Sequence, residues 1–72
     1  MNNLFNALAK KYQANIEVAK ANIEVYSNNP VGIGDHPDLA SAIDSEISKL
    51  CDNADKLKVL NDHFIQGTKI PF

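Results

Sequence analysis

Ala14-Asn15-Ile16-Glu17-Val18 returns seven residues later as Ala21-Asn22-Ile23-Glu24-Val25. Seven residues is two turns of an α-helix, the period of helices that pack on helices. The copy is too short to be a solenoid unit, whose repeats begin at about 20 residues. Outward from it, the stretch 3–28 holds no Gly and no Pro. Phe5, Leu8, Tyr12, Ile16, Ala19, Ile23 and Tyr26 step by three or four, one apolar stripe of a helix. The duplication also writes a second stripe of Leu4, Ala7, Ala14, Val18, Ala21 and Val25. At roughly 100° per residue it lies about 160° from the first. One stripe serves one neighbour, so two stripes predict two. A helix of the same chain can be the first, and the second calls for another chain.

Pro30, Gly32 and Gly34 then break the helix, and residues 29–36 read as a loop with Asn28 or Asn29 as its C-cap. Val31 and Ile33 are expected to cover the open end of the helix pair. Pro37 suits a first helical position, with Asp35 or His36 as N-cap and Asp38 near the positive end of the dipole. The second helix is expected over about 37–65, on the stripe Leu39, Ile43, Ile47, Leu50, Ala54, Leu57, Leu60 and Phe64, closed by Gly67. Glu46–Lys49, Asp52–Lys56 and Asp55–Lys58 are spaced as helical ion pairs. The tail 66–72 is extended by Pro71 and carries Ile70 and Phe72.

The fold class is therefore all-α: a single-domain antiparallel hairpin over 1–72. Its core is expected to set Phe5, Leu8, Tyr12, Ile16, Ile23 and Tyr26 against Leu39, Ile43, Ile47, Leu50, Leu57, Leu60 and Phe64. A lone pair of helices leaves half its apolar surface wet, so association into a four-helix bundle, or docking on a larger assembly, is expected. Leu4, Ala7, Ala14, Val18, Ala21, Val25, Ile70 and Phe72 are the interface candidates. Asn15 and Asn22, seven apart beside the first stripe, either fix the register of a helix seam or are simply exposed.

Composition narrows the role. A chain of 72 residues is marginal as a lone folder. Cys51 is the single cysteine, so no internal disulfide can staple it. Seven lysines and no arginine are scattered among nine acids for a net charge of −2, which lacks the basic stripe and bidentate readers of a nucleic-acid module. No run reaches the roughly 18 apolar residues of a membrane span. The N-terminal residues lack the basic start and apolar core of a signal peptide. A protein partner, most simply a second copy, is the remaining staple.

The chemistry-bearing residues point the same way. Gly32-x-Gly34 has neither the preceding strand nor the further glycines of a phosphate loop. Asp35, His36 and Asp38 serve as capping residues, and would hold a metal ion only if an oligomer brought further ligands. Asp62 and His63 are adjacent, hence about 100° apart on a helix, and cannot form a dyad. Cys51 has no local base to activate it. No catalytic, cofactor or metal site is expected, and the chain reads as a non-enzyme.

The segment from Ala21 to Leu39, with Asn22-Ile23-Glu24-Val25-Tyr26, then Asn28-Asn29-Pro30-Val31-Gly32-Ile33-Gly34 and Asp35-His36-Pro37-Asp38, resembles small proteins of marine tailed bacteriophages, cyanophages among them. The resemblance spans about residues 14–64 and brings no activity or functional residues with it. It implies a small accessory protein, virion- or capsid-associated, resident in the host cytoplasm and incorporated in the particle. The alternative it leaves is a small intracellular regulator that binds a host protein.

Overall fold

The computed structural model describes residues 3–28 and 36–65, which form α1 over Asn3–Asn28 and α2 over His36–His63. The two helices pack along their length as an antiparallel hairpin, with no strand among the described residues. The expected loop residues 29–35, with Val31 and Ile33, and the tail 66–72, with Gly67, Ile70 and Phe72, lie outside the described residues.

The register is carried by side-chain pairs whose residue numbers add to 68: Asn15 with Asn53, Asn22 with Glu46, and Tyr12 with Lys56. On α1 the facing positions are Phe5, Leu8, Tyr12, Asn15, Ala19, Asn22 and Tyr26, alternating in steps of three and four. On α2 they are Leu39, Ile43, Glu46, Leu50, Asn53, Leu57, Leu60 and Phe64, also in steps of three and four after Ile43. That phase is the heptad seam of paired helices. Ala19, only 1% exposed, sits at its centre, where a methyl group lets the backbones approach.

The expected α1 stripe faces inward: Phe5, Leu8, Tyr12, Ile16, Ile23 and Tyr26 are all half-buried. The expected α2 stripe needs correction. Ile47 is 44% exposed and Ala54 is also exposed, because the seam advances by alternating threes and fours and places Glu46 and Asn53 inward instead. Phe64 is 52% exposed, although its ring lies 5.4 Å from that of Phe5. It stands at the terminal end of the hairpin, where among the described residues no third element covers it.

The end of α2 also differs from expectation. The helix closes at His63, ahead of Gly67, and the Phe64 and Ile65 amides both donate to the Leu60 carbonyl, at 2.9 and 3.2 Å. A bond from five residues on is the Schellman closure. It folds Ile65 back onto the last turn, and both Ile65 (8% exposed) and Leu60 (6%) are buried, the apolar contact that accompanies this cap. Of the expected ion pairs, Glu46–Lys49 forms at 3.0 Å and Asp52–Lys56 at 3.1 Å. Lys58 meets Asp62 at 2.7 Å, nearer the helix end.

Candidate interaction surface

A pair of helices with extents of 49 × 18 × 15 Å has little interior. Among the described residues, the buried apolar side chains are Ala19, Leu60 and Ile65. Six large apolar side chains are instead exposed: Leu4, Val18, Val25, Ile47, Val59 and Phe64. Leu4 is 73% exposed and Val18 and Val25 are each 59% exposed. With the exposed Ala7, Ala14 and Ala21, they form one continuous strip along α1. On α2, Val59 lies among the acidic and basic residues Asp52, Asp55, Lys58 and Asp62, while Ile47 shares its face with the small exposed Ala40, Cys51 and Ala54.

Between this strip and the α2 surface runs a polar column. The Asn15 side-chain amide donates to Asn53 Oδ1 at 3.0 Å, and Asn53 Nδ2 donates to the Lys49 carbonyl at 2.8 Å. The Asn22 amide donates to Glu46 Oε1 at 3.1 Å, and Lys49 Nζ donates to Glu46 Oε2 at 3.0 Å. Glu46 is only 7% exposed and Asn53 9%. Every buried side-chain polar atom among the described residues has a partner, which is what makes a polar seam tolerable. The Asn22 amide first, and then the Lys49 ammonium, hold the Glu46 carboxyl below the ordinary carboxylate range, against the opposing effect of burial. The column borders a groove of about 380 Å³ whose apolar wall is Val18 and Ala19. A second groove, of about 330 Å³, opens at the terminal end among Phe5, Leu8, Tyr12, Val59, Leu60 and Phe64.

Asn22 is half-buried in the seam, while Asn15 is exposed and reaches across its edge to Asn53, so the two divide the roles their spacing allowed. Glu46 and Asn53, their partners, were missed by apolar pattern reading. The signal was present: they too lie seven apart, and pairing them in reverse order with Asn22 and Asn15 gives the hairpin register.

Among the described residues, those considered for chemistry are not brought together. Asp35 and the side chains of His36 and Pro37 lie outside the described residues, and Asp38 is exposed. Asp62 pairs with Lys58, while the His63 ring lies 6.2 Å from that of Phe64. Cys51 is free and exposed. Among the described residues no three His, Cys, Asp or Glu side chains are placed to hold a metal ion, and no helix is long and apolar enough to cross a membrane. In comparison with known proteins, no family, no curated protein and no solved structure matches this chain.

Proposed function

We propose that this chain is a non-catalytic protein–protein interaction module, a helical hairpin that completes its core by associating with further copies of itself. The observation that carries this reading is the imbalance of its apolar residues. Three are buried among the described residues, while six large ones are exposed. A domain this small lacks the interior to offset its conformational entropy, and oligomerisation is the remedy open to a chain without disulfides. A bundle of four helices would bury the α1 strip. The likeness of the Asn22–Asp38 segment to proteins of marine tailed bacteriophages supports a phage-encoded accessory role, in the host cytoplasm and on the virion, and would be read by co-purification with particles at fixed stoichiometry.

Light scattering behind size exclusion, across protein concentration, tests self-association. A dimer or tetramer whose melting temperature rises with concentration is expected, because mass action couples assembly to folding. A monomer with a concentration-independent, cooperative melt would overturn it.

A further inference from the structure

We propose that α1 pairs with α1 of a second copy in antiparallel fashion, with the molecular two-fold axis passing beside Ala14. This rests on the reading that the hairpin self-associates, and it names the surface, the orientation and the register.

A two-fold interface must be self-complementary: if one residue meets another, the reverse contact also occurs. The exposed strip of α1 meets that condition when read backwards about Ala14. Ala7 then opposes Ala21, Ala14 opposes its own copy, and Leu4 falls within one residue of Val25. Every apolar residue of the strip but Val18 finds an apolar one, and the three alanines, seven apart, let the two helix axes come close. Charge follows the same reversal. Lys10 and Glu17 border the alanine column and become opposite neighbours twice over, once on each side of the axis. Among the described residues, Lys10 and Lys11 have no ion-pair partner within their own hairpin, and Glu17 has only the 3.8 Å contact with Lys20.

Lys11, the one charged residue in the strip, comes to lie over Val18 of the second copy. There its ammonium reaches the rim of the groove that holds Glu46. A parallel arrangement would instead bring Lys10 toward Asn15 and Glu17 toward Asn22 of the second copy, and would form neither ion pair.

The surface is also large enough. A helix of 26 residues is about 39 Å long, and half the girth of a cylinder roughly 10 Å across is about 16 Å. The strip therefore offers roughly 600 Å² from each partner, or about 1,200 Å² in all, the lower edge for a specific stable interface. α2 carries a lesser strip of Ala40, Ile47, Cys51 and Ala54, in which Ile47 is the one large side chain, against Leu4, Val18 and Val25 on α1.

The experiment compares the dimer dissociation constants of six forms of the full chain, with helicity followed by circular dichroism. Ala14→Glu places two carboxylates at the axis and is expected to raise the dissociation constant at least about tenfold, with the helices retained because Ala14 is exposed. Lys10→Glu and Glu17→Lys alone should each weaken the dimer about fivefold. The double variant Lys10→Glu with Glu17→Lys should return to within about threefold of the original, since both pairs are restored with reversed sign. That rescue is independent of Ala14→Glu and decides the case if that variant loses helicity. Absence of rescue would overturn the antiparallel register. A dimer untouched by Ala14→Glu but dissociated by Ile47→Asp would overturn the α1 interface while leaving self-association intact. A wild-type chain that is monomeric throughout would overturn self-association itself.

Discussion

The two halves of this hairpin are held by different physics. At the terminal end, Phe5, Leu8 and Tyr12 lie beside Val59, Leu60 and Phe64, and the contact is apolar and aromatic. At the loop-ward half, the same columns of the seam carry Asn15 and Asn22 on α1 and Asn53 and Glu46 on α2. Leu8 and Leu60 stand one heptad beyond Asn15 and Asn53. The difference separates two tasks. Apolar layers supply free energy but accept many registers, whereas a hydrogen-bonded pair is satisfied only when the right residues face each other. The terminal end holds the helices together, and the polar half dictates how they align.

The largest break in that comparison is Leu60→Ala. Leu60 is 6% exposed and anchors both the apolar layer and the closing turn of α2, so its truncation costs about 2–4 kcal/mol. For a hairpin this small that approaches the whole stability. Urea titration of helicity should show a largely unfolded chain at concentrations where the original is folded. A loss below about 1 kcal/mol would mean that the terminal end is not the stabilising half.

Part of this division was legible in the residues. The α1 stripe follows from its spacing, because a helix that steps by threes and fours has only one face to give its neighbour. The outer strip of α1 follows from the same duplicated segment. On α2 the reading went astray at Ile47 and Ala54, which are apolar but one position out of phase, while Glu46 and Asn53 are polar and inside. Hydropathy alone assigns such residues to solvent. Only the knowledge that each finds an amide partner across the seam reverses the assignment, and that depends on α1 and α2 together. The closure at Ile65 was hidden for a related reason: it is a backbone bond to Leu60, and no Gly marks it.

A milder intervention sharpens the contrast. Replacing both members of the outer amide pair, Asn15→Leu with Asn53→Leu, removes the polar groups together and leaves neither unsatisfied across the seam. Stability should rise by about 1 kcal/mol, since polar pairs converted to apolar packing are often neutral or stabilising. Specificity should fall at the same time. An all-apolar layer no longer distinguishes the hairpin from swapped or higher assemblies. The expected result is a higher melting temperature with more than one mass in light scattering. A single unchanged mass would show that the amide pair does not choose the partner.

The smallest effect concerns Glu46, whose carboxyl is held below its ordinary value of 4.5 by the Asn22 amide and the Lys49 ammonium. A carboxyl depressed in the folded state binds its proton more readily when unfolded. Its stabilisation is therefore complete above the unfolded value and is lost as pH falls from there through the folded value. The melting temperature of the wild type should drop across that acid window, and Glu46→Gln should melt lower near neutrality but show a flatter acid limb. The loss is modest because a protonated Glu46 still accepts from Asn22, though less strongly, and the Lys49 ammonium, whose attraction also weakens, lies largely in solvent. If Glu46→Gln titrates as steeply as the wild type, the acid sensitivity does not come from Glu46. The polar half would then align the helices through its amides alone.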